Sequence, residues 1–284
     1  MNMAPSDALS GVVHSKVDTA HGQVQFRSAG MATQVTHVLL HGIGSASASW
    51  AFQLGAAVGR SDVRVLAWEA PGYGQSAHLP MDLPRAQDYA ERLWSWLDAL
   101  YVSQPVVLVG HSLGALMAAS ATRLRPQAVS RLVLLAPARG YGDASLGERE
   151  RVVQGRLSHL QQLGPQGMAV ARASAMLSPG AAPALQEAVR EAMSQIDPAG
   201  YTQAVHMLGQ ACLAQDLKTV HGPVLVASGE ADTVTPPTSC DLVAQVLASR
   251  RISLGHVGHA CPLEAADAVN DLLGLPALAG LESI

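Results

Sequence analysis

The chain has 284 residues, 49% hydrophobic and 14% charged, with a formal net charge of −4 and a pI near 6.2. That length holds one large α/β domain or a core carrying an inserted piece, and so apolar a composition excludes a disordered chain. An acidic balance without a basic run argues against a nucleic-acid partner.

Residues 1–10 carry neither a basic nor an apolar leader segment, so no secretory signal is expected there. The longest apolar run, 106–121, is interrupted by Gly110, His111 and Ser112 and is too short and polar to span a bilayer. Three well-separated cysteines, Cys212, Cys240 and Cys261, suit free thiols in a reducing compartment. The expectation is a soluble cytoplasmic protein without a membrane partner.

Gly11–Asp18 and Gly22–Ser28 alternate in polarity around a short turn, which predicts an antiparallel hairpin at a sheet edge. Val35–Leu40 is a buried strand running into His41-Gly42-Ile43-Gly44-Ser45, with a helix expected through Trp50, Phe52, Leu54 and Val58. Arg64–Trp68 is the next strand, closed by Pro71-Gly72-Tyr73-Gly74. Between Arg85 and Val102 the apolar positions have helical spacing, with Asp88, Glu91, Arg92 and Asp98 expected outward.

Val106–Val109 is a strand that breaks into Gly110-His111-Ser112-Leu113-Gly114 and continues as a helix ending before Pro126. Strand, Gly-x-Ser-x-Gly and helix together predict a nucleophile elbow with Ser112 at its tip. Arg131–Leu135 is a further strand. From Ala138 to Leu213 the strand-like runs stop, and helical segments punctuated by Gly164-Pro165, Ser178-Pro179-Gly180 and Asp197-Pro198 take over. Strands return at Val224–Ala227 and Ile252–Leu254, separated by a helix over Thr238–Ala248. A last helix is expected over Pro262–Leu273, with Gly274–Ile284 loosely held.

Alternating strands and helices imply a mostly parallel, doubly wound sheet, and ligands bind such sheets beyond the C-terminal strand ends. The predicted organisation is an α/β core of 1–137 and 214–284 with an all-helical cap of 138–213.

A serine hydroxyl needs a neighbouring base. His259 follows the last strand and precedes the last helix, with His256 as its rival. Asp232 follows the preceding strand, with Glu230 as the alternative carboxylate. The order Ser112, Asp232, His259 is that of an α/β-hydrolase triad. Oxyanion donors are expected from the backbone N–H of Leu113 and of Ile43. Trp50, Tyr73 and Met176 are candidates to line the substrate pocket, and Met168, Met193 and Met207 to join Met176 in an apolar ceiling. Core packing accounts for the same residues equally well.

The chain resembles the α/β-hydrolase superfamily in its capped branch. The resemblance rests on HGIGS at 41–45, APGYGQS at 70–76, GHSLGA at 110–115, GEADTVTP at 229–236 and GHACPLE at 258–264. It spans residues 24 to 274, with Glu264 placed five after His259 as is common in the family. It implies Ser112 as nucleophile, Asp232 as acid, His259 as base, Ile43 and Leu113 as oxyanion donors, and no metal or organic cofactor. Ser112 argues against the dehalogenase and epoxide hydrolase branches, which need a carboxylate nucleophile. His41 and His111 belong to the motifs' scaffolding.

The expected activity is cleavage of a small, fairly apolar carboxylic ester or lactone through an acyl-enzyme. The alternatives are a C–C bond hydrolase of a vinylogous diketone acid, whose carboxylate Arg172 and Arg190 would hold, and a non-catalytic binding protein of the same fold. A homo-oligomer is left open.

Overall fold

The computed structural model describes residues 3–277, so the end of the expected loose tail, 278–284, lies outside the described residues. One eight-stranded sheet forms the centre. Its strands are β1 (Val13–Thr19), β2 (Gly22–Ala29), β3 (His37–Leu40), β4 (Val65–Trp68), β5 (Val106–His111), β6 (Val129–Leu135), β7 (Val224–Ser228) and β8 (Ile252–Ser253). They lie in the order β1-β2-β4-β3-β5-β6-β7-β8. The β1–β2 hairpin closes at Thr19↔Gly22, and β2 pairs antiparallel with β4; the remaining pairs are parallel.

The helices are α1 (Pro5–Ala8), α2 (Ala51–Ala57), α3 (Ala86–Ala99), α4 (Leu113–Leu124), α5 (Leu146–Arg172), α6 (Pro183–Ser194), α7 (Pro198–Gln210), α8 (Leu213–Leu217), α9 (Pro237–Val246), α10 (Cys261–Glu264) and α11 (Ala266–Leu273). Successive strand residues face opposite sides, which explains why the central strands are apolar throughout. Val38, Leu40, Leu66 and Leu108 pack with α3, α4 and α7 on one side. Leu39, Val65, Val109 and Val133 pack with α2 and α11 on the other. Covered on both faces, β3 and β4 have no exposed residue to alternate with.

Two details differ from the sequence expectations. Arg92 is buried within α3, where its guanidinium donates to the carbonyls of Ala77 and His78. The expected last helix divides at Ala265 into α10 and α11. The Gly164-Pro165 break falls where the sequence places it: Gly164 leaves helical backbone with a positive φ of 60° and divides α5 into two helical segments.

Helices α5, α6 and α7 come between β6 and β7, and their residues meet Ser112 and His259 around a shared cavity. At the other end of the sheet the Leu273 carbonyl accepts hydrogen bonds from His37 Nε2 and Arg131 Nη2, each 3.0 Å long. That contact fastens the end of α11 beneath β3 and β6. Among the described residues no helix is long and apolar enough to cross a membrane.

Candidate active site

β5 delivers the chain to Ser112, and α4 starts at the next residue. The turn is so tight that Ser112 adopts φ 53°, ψ −114°, a conformation non-glycine residues rarely hold. A Cβ at Gly110 would collide with the Gly114 carbonyl, and one at Gly114 with the Leu40 carbonyl. Ser112 is 6% exposed and, among the described residues, its hydroxyl makes no hydrogen bond within the protein.

The loop after β7 carries Asp232, 3% exposed. Its Oδ1 accepts the Val234 and Thr235 N–H groups at 2.8 and 2.9 Å. Its Oδ2 lies 2.8 Å from Nδ1 of His259 and 2.9 Å from Thr235 Oγ1. Burial would raise the Asp232 carboxyl, but the His259 contact and the two amides outweigh it and hold the group below its ordinary range. With Nδ1–H donated to Asp232, the second imidazole nitrogen of His259 has its lone pair available toward the cavity it lines with Ser112. No Ser112–His259 hydrogen bond is formed in this arrangement; such contacts commonly tighten only with substrate bound.

The rivals stand apart. Glu230 is exposed and bound to Arg251 at 3.0 Å, and His256 is exposed, with neither lining the cavity. Ile43 and Leu113 line the cavity beside Ser112, and neither N–H is used by the fold among the described residues.

Around these groups sits a frame of buried and half-buried polar side chains. His111 Nε2–H donates to the His259 carbonyl at 2.8 Å, and the two rings stand 4.9 Å apart. Burial, then the neighbouring His259, drive the His111 pKa down to about 3. His41 Nδ1–H donates to the Gly42 carbonyl at 2.9 Å while its Nε2 accepts Ala70 N–H at 3.0 Å. Burial lowers its pKa too, so its 3.8 Å approach to Glu69 is not an ion pair. The buried Glu69 carboxylate instead accepts the Ser47 N–H and hydroxyl, bracing the loop that bears Ile43. Glu264 accepts Gly258 N–H at 2.8 Å and Ser178 N–H at 3.0 Å, joining the His259 loop to the segment following α5.

The cavity has two lobes meeting at Ser112, His259, Ile43, Gly44, Met176 and Met193. The smaller, about 190 Å³, runs under α5 and α7 past Arg156, Met168, Arg172 and Tyr201. The larger, about 680 Å³, is walled by Pro5, Leu9, Tyr73, Val189, Ile196 and Leu263. Trp50 is a correction: it is wholly buried, its ring edge-on to His111, and lines neither lobe. Met207 likewise packs in the core. Arg190 is exposed, paired with Glu187, and lines neither lobe. Sequence reasoning missed Thr235, Arg156 and the α1 wall; only α1 left a signal, Pro5 at a first helical position. Burial pushes the Cys240 thiol up to about 11 and the Cys261 thiol well above its ordinary value, so neither is a nucleophile at neutral pH.

A family model described as the alpha/beta hydrolase family matches residues 38–272. RutD of Klebsiella pneumoniae, to which a carbamate hydrolase activity is ascribed, is 29% identical over 85% of this chain and 91% of its own length. A hydrolase of (E)-2-((N-methylformamido)methylene)succinate from Acinetobacter baylyi is 26% identical, over 83% of this chain and 88% of its own. Among solved structures, an enol-lactonase from Burkholderia xenovorans superposes with a TM-score of 0.80 at 20% identity, covering 92% of this chain and 98% of its own.

Proposed function

The chain belongs to the alpha/beta hydrolase family, and on that premise we propose a serine hydrolase that cleaves a small carboxylic ester or lactone. The observation that carries this reading is the 2.8 Å Asp232–His259 contact, which frees the outer imidazole nitrogen toward the cavity holding Ser112. In the proposed cycle His259 takes the Ser112 proton as the hydroxyl attacks the carbonyl carbon. The N–H groups of Ile43 and Leu113 hold the developing oxyanion. His259, now protonated and steadied by Asp232, gives that proton to the leaving oxygen. Water enters, loses a proton to His259, and attacks the acyl-enzyme; the proton returns to Ser112 as the acid leaves.

On this reading 138–213 forms a cap over a core of 1–137 and 214–284, and the mostly apolar larger lobe takes the uncharged part of the substrate. No cofactor enters the scheme. Cytoplasmic residence is supported by three free cysteines. The test is a fluorophosphonate probe with the adduct mapped by mass spectrometry. Label is expected on Ser112 and absent from Ser112→Ala, which should also lose turnover. Labelling elsewhere, or a Ser112→Ala variant turning over near the wild-type rate, would overturn the scheme. No labelling at all would favour a non-catalytic binding protein.

A second reading, cleavage of a C–C bond in an acidic diketone, is favoured by the half-buried Arg172 in the smaller lobe. Comparing a nitrophenyl ester with a ring-fission product as substrates separates the two.

A further inference from the structure

The two lobes differ in charge. The smaller is lined by Arg139, Arg156 and Arg172 and by no Asp or Glu, although the chain as a whole is acidic. Arg139 is exposed at the rim, whereas Arg156 and Arg172, at the middle and end of α5, are half-buried. Among the described residues neither of these two guanidiniums has a hydrogen-bond or ion-pair partner in the protein. Several other part-buried arginines are engaged, Arg123 with Asp216, Arg131 with the Leu273 carbonyl, Arg149 with the Gly142 carbonyl and Arg251 with Glu230 and Asp241, whereas Arg27, on the larger lobe, and Arg64 are not. A guanidinium drawn partly out of water without a counter-charge is costly for the fold, so two of them facing one small cavity need a reason outside the fold.

We propose that the substrate carries a carboxylate on one side of its scissile bond, held by Arg156 and Arg172 in the smaller lobe, with its uncharged portion in the larger one. This rests on the hydrolase reading and names the substrate class of that same site. The planar, two-pronged guanidinium matches a carboxylate in geometry as well as charge. Size favours a short arm: the smaller lobe, about 190 Å³, is much the tighter of the two beside the larger lobe's 680 Å³. Direction is set too. The larger lobe sets Glu69, Glu191 and the Arg190-paired Glu187 against a single lining arginine, Arg27, an acidic balance that disfavours an anion there. Half-esters or lactones of short dicarboxylic acids fit this pattern, and neutral fatty esters lack the charged arm it is built to receive.

The experiment pairs 4-nitrophenyl hemiglutarate with 4-nitrophenyl pentanoate, which have acyl chains of equal carbon number and differ in charge. The wild type is expected to favour the hemiglutarate at least tenfold in kcat/KM. That ratio should fall at least tenfold in Arg156→Met and in Arg172→Met, and invert in Arg172→Glu. In parallel, calorimetry should show glutarate binding to Ser112→Ala, and binding lost when Arg156→Met and Arg172→Met are added.

A wild-type enzyme that hydrolyses both esters but shows no preference for the charged one overturns the anionic substrate while leaving the hydrolase intact. So does a preference that the arginine substitutions leave unmoved. If neither ester is cleaved and no fluorophosphonate label forms, the hydrolase reading falls. Glutarate binding that depends on the two arginines would then still uphold the anion pocket, and its absence would overturn that as well. Should the methionine variants fail to fold by circular dichroism, the wild-type ester ratio, which needs no variant, decides the matter.

Discussion

At the scale of single residues, the site combines one strained position with several imidazoles kept neutral by burial. His111 illustrates the consequence for stability. Its folded-state pKa, about 3, lies below the ordinary value of 6.5, so the unfolded chain binds the proton more readily. The stability His111 contributes is therefore complete above pH 6.5 and declines as pH falls toward 3, by about 1.4 kcal/mol per pH unit. His37 and His41 are shifted the same way by burial. Asp232, held low, acts in a separate window, its stabilisation being lost only below the usual carboxylate range. Urea unfolding of His111→Asn is expected to show a shallower loss of stability between pH 6.5 and 4 than the wild type; an identical slope would assign the acid loss to other groups. Asp232→Asn should lower kcat by about four orders of magnitude while the protein stays folded, read by steady-state kinetics against circular dichroism. The gathering of Ser112, Asp232 and His259 beyond the strand ends is legible because each lies in a short pattern just after a strand. The sequence leaves Trp50 open between cavity and core, because an aromatic following a glycine loop looks the same whether it lines a cavity or packs behind it. Arg156 was invisible, since α5 bears charge on several faces and only the fold says which one turns inward.

Among elements, the loop carrying His259 and the segment after α5 behave as one piece. Glu264 bonds the amides of Gly258 and Ser178, and Ala260 N–H donates to the Met176 carbonyl at 2.7 Å. Met176 in turn lines both lobes. Glu264→Ala is expected to cost about 2 kcal/mol, measured in urea, and to speed amide hydrogen exchange at Ser178 and Gly258. A variant with unchanged exchange at both amides would remove Glu264 from this role. On the opposite side α7 rests directly on the loop after β4, where a Cβ at Gly200 would strike the Gly72 carbonyl. Gln203 adds hydrogen bonds to the carbonyls of Leu79 and Met81, each 2.8 Å. Gly200→Ala should therefore destabilise by about 1–3 kcal/mol, checked by thermal and urea melts. These long-range seams could not be read beforehand, because nothing local to Gly200 or Glu264 points to partners far along the chain. The break at Ala265 escaped notice for a related reason: 261–273 has helical composition throughout, and the interruption lets Glu264 reach Ser178.

For the molecule as a whole, one buried cluster runs from Leu93 and Leu97 of α3 through Leu116 of α4 to Tyr201 and Val205 of α7. The helices above the sheet are thus packed into the same core as those beside it. All four tryptophans, Trp50, Trp68, Trp94 and Trp96, lie outside 138–213, so fluorescence reports on the sheet and its flanking helices, while far-UV circular dichroism is weighted toward the long helices α5–α7. The two signals should share one urea midpoint; a dichroism transition preceding fluorescence would mean that α5–α7 leave first. The doubly wound sheet was legible from the strand–helix alternation, and the edge hairpin from its polarity pattern. The spatial order of the strands was not, because that depends on crossovers the pattern alone does not rank.

The Leu273 carbonyl, bonded to His37 and Arg131, brings α11 to its close at the end of the sheet remote from the cavity, whereas Pro5 and Leu9 are themselves part of the cavity wall. The two ends of the described chain are therefore unequal as points of attachment. Fixed to a resin or electrode through a linker joined beyond α11, the molecule would present its mouth to the bulk liquid; fixed through its front end, it would press that mouth against the support.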